Sequence, residues 1–287
     1  MPGVAVVTDT CHYMPAEMVA ANDVTEVSLH VHWAQGDTPE ADLPSFGAYY
    51  DSLRTAEALP TTSQPSVGEF LAAYEPLLDA GQEIVSVHLS AGVSGTCESA
   101  RQARAQLGAR EERIHVVDSR SACGGEGLCV MAAVGAAREG LDGAQVAQRV
   151  GEAREELVMR FAVDTLEYLR RGGRIGSAQA WVGSALKIKP ILALAEEITP
   201  VERVRTAGRA FQRMVDYLTE FRDSGRDGWV VQHIQAPDEA RRLADRGREI
   251  IGCEPLFVSE VGPVIGTHAG PGLLGVGGVP ARLLGGA

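Results

Sequence analysis

The chain has 287 residues, of which 45% are hydrophobic and 22% are charged, and its formal net charge is −12. This composition is typical of a globular protein with room for two domain cores, and it excludes a largely disordered chain. The acidic balance argues against a nucleic-acid partner, and no apolar run approaches the roughly 20 residues that span a membrane. Five scattered cysteines without a CxxC pair predict reduced thiols rather than disulfides or a zinc site, so we expect a cytoplasmic protein with at most transient membrane contact.

The first half of the chain alternates short β-rich runs with helical patterns. The predicted strands are 4–8, the alternating run 27–33, 83–90 and 113–119. The predicted helices are 15–21, 66–80, 94–109 and 129–139. Ser66 followed by Glu69 forms a capping box at the start of one of them. The βαβα order predicts a parallel sheet with helices on both faces.

The second half mixes helices and strands less regularly. A helix at 144–157 and the strand MRFAVD lead into it, followed by the predicted helices 177–186, 207–221 and 238–250 and the runs GWVVQHIQ and PLFVSEVG. We therefore predict an N-terminal α/β domain with a parallel sheet at 1–157 and a C-terminal α+β domain at 158–287.

Hydroxyl-bearing segments recur where predicted strands end and helices follow. Four stretches share this context: TDT (8–10), TTS (61–63), SAGVSGT (90–96) and VDSRS (117–121). In an open parallel sheet, ligands bind beyond the carboxyl ends of the strands. The four segments therefore predict one ligand site at this edge, where hydroxyl groups and a helix N-terminus would hold an anion.

Motifs of common enzymes are incomplete. Residues 270–275 match GxGxxG but lie too close to the C-terminus for a dinucleotide-binding unit. Neither lysine follows a glycine, which excludes a P-loop, and no GxSxG elbow occurs. His30 and His32 are either two metal ligands or an exposed strand face. Cys97 and Cys123 are either activated thiolates or small, semi-buried side chains.

The region from 160 to 213 is basic in an otherwise acidic chain. It holds ten basic residues against five acidic ones, including the only lysines, Lys187 and Lys189. Three arginines surround a Gly-Gly pair within 166–180, and Ser177 after them resembles a helix cap. The region is either a solvated face or a surface for an anionic group or an acidic partner.

His268 lies in EVGPVIGTHAGPG, residues 260–272, which we predict to be a rigid, tightly turned loop. Such loops often carry function, and the alternative is a turn histidine exposed to water.

The chain resembles the DegV family of bacterial fatty-acid-binding proteins in seven stretches that follow one another in the family's order: TDT, TSQPS, SAGVSGT, VDS, DTLEYLRRGGRIGSAQA, KIKPIL and EVGPVIGTHAGPG. The resemblance implies two α/β domains with a single long-chain fatty acid in the cleft between them. It also implies a carrier without catalytic activity, the acyl-carrying subunit of a fatty acid kinase. In that system a separate kinase uses ATP to phosphorylate the bound carboxylate, and the acyl phosphate serves phospholipid synthesis.

By the same resemblance, the carboxylate ligands are the threonine before SQP, the serine of the SGT turn and the histidine of the GTH loop, here Thr62, Ser94 and His268. Their neighbours would line the cleft: Thr61, Ser63, Gly95, Thr96 and Thr267. No metal or cofactor is implied besides the bound fatty acid.

The family's arginines near the cleft mouth and partner surface correspond to Arg170, Arg171 and Arg174, and Arg205 matches a further one. The chain departs from the family at Cys11, Ala91 and Val93, where the family commonly has Ser or Thr, serine and leucine. These departures leave the preferred chain length open. A stand-alone phosphotransferase or hydrolase using His268 or Ser94 remains the alternative function.

Overall fold

The computed structural model describes residues 3–33, 36–182 and 188–285. Within these ranges the strands are β1 (Val4–Asp9), β2 (Thr25–Val27), β3 (His30–Trp33), β4 (Gly36–Pro39), β5 (Thr61–Ser63), β6 (Glu83–His88), β7 (Ile114–Asp118), β8 (Val158–Ala162), β9 (Lys189–Leu194), β10 (Ile198–Val204), β11 (Gly228–His233), β12 (Phe257–Glu260) and β13 (Leu274–Val279). The α-helices are α1 (Ala16–Ala21), α2 (Gly47–Thr55), α3 (Val67–Asp79), α4 (Thr96–Gln106), α5 (Gly124–Arg138), α6 (Gly143–Glu156), α7 (Glu167–Arg171), α8 (Ala207–Asp223), α9 (Pro237–Ile251) and α10 (Pro263–Ala269). Short 3-10 helices occupy Thr10–His12, Glu40–Asp42, Gly108–Arg113, Gly176–Trp181 and Ala281–Leu283. None of the helices in the described ranges is both long enough and apolar enough to cross a bilayer.

The first sheet is parallel, with the order β2-β1-β6-β7, as the βαβα pattern predicts. Its strands end at one edge, because Thr8 pairs with Val87 and His88 pairs with Asp118. The segments 8–10, 90–96 and 117–121 therefore meet there, and the amide of Ser90 donates to the carbonyl of Ser121 at 2.6 Å. Three of the four predicted hydroxyl segments thus lie together.

The fourth hydroxyl segment, TTS, is not a loop at this edge. It forms β5, which pairs with β3 in a three-stranded antiparallel sheet of order β4-β3-β5. The predicted single strand 27–33 is also wrong, since it divides between the first sheet (β2) and this small sheet (β3). Val27, Leu29 and Val31 are buried as the alternation predicts, but the chain changes sheets between them.

The second large sheet has the order β10-β9-β8-β13-β11-β12 and is mixed, because only the β11–β12 pair is parallel. Together with α8 and α9 it gives the α+β character predicted for the second half. The predicted helices 66–80, 94–109, 144–157, 207–221 and 238–250 correspond to α3, α4, α6, α8 and α9. Ser66 and Glu69 make both hydrogen bonds of the capping box.

Helix α5 packs against both large sheets. It contacts β1 and β6 of the first and β11 and β13 of the second. Small residues such as Gly127 and Ala133 let the strands approach on all sides, which explains why nearly the whole helix is buried. The helix begins at Gly124, five residues before the prediction. The domain boundary at 157/158 stays a prediction. The apolar clusters around α5 and the cavity both contain residues from before and after this position.

Two predictions from glycine-rich stretches are wrong. Residues 263–269 form helix α10 rather than a loop. Pro263 begins the helix, and Gly266 lies inside it because a Cβ there would be 2.1 Å from the Tyr50 hydroxyl oxygen, so glycine allows α10 to pack on α2. Ser177 is not a cap, since it lies within the 3-10 helix that follows Ile175. That 3-10 helix ends at Trp181. The rest of the predicted helix 177–186 lies largely within residues 183–187, which are outside the described residues.

Candidate functional site

A cavity of about 940 Å³, including its opening, lies where the second sheet, α10, β5 and the loop after β6 meet. Most of its wall is apolar, and it includes Leu29, Leu89, Met159, Phe161, Leu194 and Leu273. This wall favours a hydrocarbon group, provided that polar groups satisfy any charged end.

The polar side chains that line this cavity include Thr62, Ser94, Arg174 and His268. The Thr62 hydroxyl oxygen lies 2.9 Å from His268 Nε2, although the two residues are 206 positions apart in sequence. The Ser94 hydroxyl lies 2.9 Å from that of Thr96, at the first residue of α4. The structure thus brings the three predicted carboxylate ligands into one cavity.

His268 is neutral at physiological pH. Burial, together with the nearby positive charge of Arg174, lowers the pKa of His268 to about 4. Its Nδ1 atom is buried against the backbone of Gly172 and has no hydrogen-bond partner among the residues that the structure describes. Because an unpaired buried N–H costs more than an unpaired acceptor, we assign the proton to Nε2, which then donates to Thr62. The Thr62 hydroxyl proton is left free to point into the cavity.

The segment that carries Ser94 is held from the first sheet. The amide of Leu89 donates to Asp9 Oδ2 at 3.1 Å, and His88 Nδ1 lies 3.0 Å from the same oxygen. Asp9 also accepts the amide of Cys11 at 3.0 Å through Oδ1. Burial by itself would raise the pKa of Asp9, but His88 and the two amides together hold it below its ordinary value. An ionised Asp9 therefore fixes the start of the Ser94 loop.

The remaining predicted cleft residues have different surroundings. Thr61 is exposed, whereas the Ser63 hydroxyl lines the cavity but contacts His32 Nε2 at 2.9 Å. Thr267 is buried, donates to the carbonyl of Pro263 and contacts Tyr49 Oη, both at 2.6 Å. Thr267 is thus occupied within α10. Gly95 is the N-cap residue of α4 and packs against the Gln64 side chain.

The arginines divide into one at the cavity and others on the surface. Arg174 lines the cavity and donates to the carbonyls of Val93 (3.4 Å) and Gly172 (2.9 Å). Arg170 and Arg171 are exposed; the first pairs with Glu167 and the second donates to the carbonyl of Glu57. Arg205 is exposed beyond β10. Lys189 pairs with Asp164, and Lys187 lies outside the described residues.

The two histidines of β3 lie beside acidic side chains, and the two cysteines are buried. His30 and His32 both approach Asp37, at 3.5 and 3.2 Å, but no group of three metal-binding side chains occurs among the residues that the structure describes. Cys97 and Cys123 are buried, and burial raises the pKa of both thiols. Neither cysteine is an activated thiolate, which favours the structural interpretation.

Several residues of the site were not predicted. Gln232 lines the cavity, and its amide bonds to the backbone of His12 and Gly124 and to Ser259. A polar residue inside the apolar run GWVVQHIQ was the available signal. Met159, Phe161 and Gly275 line the cavity from neighbouring strands, and nothing in their local sequence marks them.

Comparison with known proteins identifies the family. A family model described as "Uncharacterised protein, DegV family" matches residues 3–281. The chain belongs to the DegV family. A DegV domain-containing protein of Streptomyces coelicolor is 40% identical over 280 residues, which cover 95% of this chain and 97% of that protein.

Solved structures of the DegV family share the fold described above. The DegV fatty acid binding protein of Bacillus subtilis superposes with a TM-score of 0.87 and 32% identity, covering 97% of this chain and 100% of that one. A fatty-acid-binding DegV family protein of Thermus thermophilus superposes with a TM-score of 0.86 and 29% identity, covering 97% and 99%. Structural neighbours of this chain therefore bind fatty acids, and their overall fold is the one seen here.

Proposed function

We propose that the protein binds one long-chain fatty acid, with the acyl chain in the apolar cavity and the carboxylate at Thr62, Ser94 and His268. The observation that carries the proposal is the hydroxyl–imidazole pair of Thr62 and His268 in the wall of an otherwise apolar cavity. In the same proposal, the protein has no catalytic activity of its own and presents the acid in the cytoplasm to a separate, ATP-dependent fatty acid kinase.

The apolar wall supplies most of the affinity. Transfer of a methylene group from water contributes about 0.8 kcal/mol, so a long chain gains on the order of 10 kcal/mol before ordering costs. The buried lining of Leu89, Met159 and Phe161 provides contacts of this kind. The cavity thus favours long acyl chains over short acids.

Hydrogen-bond donors must compensate the buried carboxylate. Without partners, a carboxylate in such a cavity would cost several kcal/mol. The Thr62 hydroxyl can donate because it already accepts from His268, and the Ser94 hydroxyl lies beside the N-terminus of α4. Hydrogen bonds to an ionised acceptor are stronger than neutral ones, and the helix N-terminus adds favourable electrostatics.

The kinase part of the proposal rests on the exposed arginines. Arg170, Arg171 and Arg205 are exposed in an acidic protein, while Arg174 alone of the four reaches the cavity. A guanidinium on the surface can pair with carboxylates of a partner while Arg174 stays at the ligand. We infer that these arginines form the contact with the kinase, which phosphorylates the acid for phospholipid synthesis.

Native mass spectrometry of the purified protein tests ligand binding directly. We expect a co-purifying mass of one long-chain fatty acid per chain. We further expect that Thr62→Val or Ser94→Ala lowers fatty acid affinity, measured by displacement of a fluorescent fatty acid. Thr61→Val, at an exposed neighbouring hydroxyl, should leave the affinity unchanged. Unchanged affinity in both cavity variants contradicts the site.

The histidine separates a carrier from a phosphotransferase. His268→Ala removes a donor from the Thr62 pair and should cost roughly 1–3 kcal/mol of affinity. His268→Gln retains an N–H donor and should recover part of that loss. Acid-labile phosphate on His268, with unaltered affinity in both variants, would overturn the proposal.

The kinase contact is tested by reconstitution with a bacterial fatty acid kinase and ATP. Arg170→Glu and Arg171→Glu should lower acyl-phosphate formation while fatty acid affinity is retained. The matched control is Arg241→Glu, which, like Arg170, is exposed and pairs with an acid three residues earlier on its helix. Equal acyl-phosphate formation in all three variants would mean that these arginines are an ordinary solvated surface and do not contact the kinase.

A further inference from the structure

The N-terminus of α10 is held by two side chains from distant parts of the chain. The first turn of a helix leaves its backbone N–H groups without partners in the helix itself. Pro263 has no N–H, the amide of Val264 donates to Glu40 Oε1 at 2.7 Å, and the amide of Ile265 donates to Tyr13 Oη at 3.2 Å. The next amide, that of Gly266, bonds to the carbonyl of Gly262 at 2.8 Å. Every first-turn donor of α10 is therefore accounted for.

Glu40 and Tyr13 form a single unit. The Tyr13 hydroxyl donates to Glu40 Oε1 at 3.0 Å while its oxygen accepts the amide of Ile265. Glu40 is only 3% exposed and Tyr13 only 7%, so water cannot replace either contact. Burying a carboxylate is costly, and the Val264 amide and the Tyr13 hydroxyl offset part of that cost for Glu40.

The same short helix carries His268 in its last turn. Val264 and His268 are four residues apart, which corresponds to about 6 Å along a helix axis. Because α10 has only seven residues, its first turn fixes the position of its last. The ring of His268 must meet Thr62 within hydrogen-bond distance, so a small rotation of α10 would break that contact.

We propose that Glu40, together with Tyr13, is a positioning residue for the carboxylate site: it anchors the first turn of α10 and so holds His268 against Thr62. This inference rests on the proposed fatty acid function. Glu40 touches neither the ligand cavity nor its polar residues directly, and it acts through the helix.

The test compares Glu40→Ala with the conservative Glu40→Gln. The amide oxygen of glutamine can still accept the Val264 N–H, whereas alanine leaves the Val264 N–H without its acceptor and the Tyr13 hydroxyl without its partner. We expect Glu40→Ala to lower fatty acid affinity about tenfold, measured by displacement of a fluorescent fatty acid. Glu40→Gln should recover most of the lost affinity. If Glu40→Ala does not fold, Tyr13→Phe removes the acceptor of the Ile265 N–H and the donor to Glu40, and it should also weaken affinity.

A second readout reports on the position of His268 itself. NMR titration of the imidazole nitrogens, assigned by the signal lost in His268→Gln, gives its pKa, which burial holds at about 4. In Glu40→Ala the ring should gain water, so its pKa should rise toward the ordinary value of 6.5, and Glu40→Gln should return it. A loss of general stability would not produce this change.

The matched control is Glu83→Ala. Glu83 also accepts a first-turn amide, that of Gly143 at the start of α6, at 2.5 Å. Its removal should lower stability and leave fatty acid affinity and the His268 pKa unchanged. Wild-type values of both in Glu40→Ala would overturn the positioning role, whereas a wild-type protein that binds no fatty acid would overturn the proposed function instead.

Discussion

Two buried carboxylates hold the two sides of the polar end of the cavity, and their pKa values are shifted in opposite directions. Asp9 holds the Ser94 loop, and its two oxygens accept from Cys11, Leu89 and His88. Glu40 holds α10, but the hydrogen bonds from Val264 and Tyr13 both meet Oε1, while Oε2 is buried with no partner in the described ranges.

The difference shows that the distribution of donors, more than burial itself, decides whether a carboxylate stays ionised. Both residues are buried, and burial is the largest single effect on each pKa. In Asp9 the donors overcome it and the pKa lies below its ordinary value. In Glu40 they do not, and burial raises the pKa to about 7 despite the hydrogen bonds from Val264 and Tyr13. The Ser94 side thus depends on a charge, whereas the α10 side tolerates a neutral acid.

The largest expected effect is on the Asp9 side. Asp9→Asn removes the charge that faces His88 and should lower the free energy of unfolding by roughly 3 kcal/mol near neutral pH. Because the folded-state pKa of Asp9 is depressed, its contribution is present above about 3.8 and is lost as the pH falls through the folded value. Chemical denaturation at several pH values should therefore show the gap between wild type and Asp9→Asn closing on acidification. A constant gap would mean that Asp9 acts only by packing.

Glu40→Gln should show the opposite slope. The pKa of Glu40 rises from 4.5 to about 7 on folding, so the neutral form is favoured in the folded state. The associated stability is fully present below 4.5 and is lost as the pH rises through 7, by roughly 3 kcal/mol at most. Wild type should thus lose stability relative to Glu40→Gln between pH 5 and 8 in the same denaturation series. Parallel curves for these two proteins would show that Glu40 is already ionised at pH 5.

The smallest expected effect concerns the glycines that pack against the α10 side of the cavity. A Cβ at Gly172 would lie 2.2 Å from His268 Nδ1, so Gly172→Ala should displace the ring and weaken fatty acid affinity about tenfold. The adjacent Gly173 has no atom within 4 Å of such a Cβ but has a φ of +70°. Gly173→Ala should therefore cost about 1 kcal/mol of stability without changing affinity. Equal affinities for the two variants, by fluorescent displacement, would show that the ring can move away from Gly172 freely.

Local patterns were sufficient for most of the fold. Alternation of β-rich and helical segments predicted the parallel sheet, and the capping box of Ser66 and Glu69 is formed as predicted. The meeting of three hydroxyl segments also followed from sequence, because parallel strands end at one edge of their sheet. The segment 90–96, which contains Ser94, is predicted for this reason. The ligand roles of Thr62, Ser94 and His268 came only from the resemblance to the DegV family, and they remain predictions.

The prediction for the glycine-rich segment is wrong because glycine can either form a turn or allow close packing, and the two give the same sequence pattern. In 260–272 it was interpreted as turn-forming, whereas Gly266 is there to let Tyr50 pack against a helix. The hydroxyls of the TTS segment predict a loop, because hydroxyl side chains favour turns. Instead, Thr61 and Ser63 pair with His32 and His30, so the segment is a strand. Tertiary contacts outweighed the local preference in both cases.

The sequence by itself determined the alternating elements, the capping box of α3 and the edge where the Ser94 loop lies, because these depend on residues within a few positions of one another. Only the tertiary structure placed His268 beside Thr62 and brought Glu40 and Tyr13 to the start of α10. These contacts join residues 206 to 252 positions apart, and no local periodicity records such a pairing. The pKa values of Asp9 and Glu40 follow from the same cause, since each depends on which distant donors the folded chain brings to its oxygens.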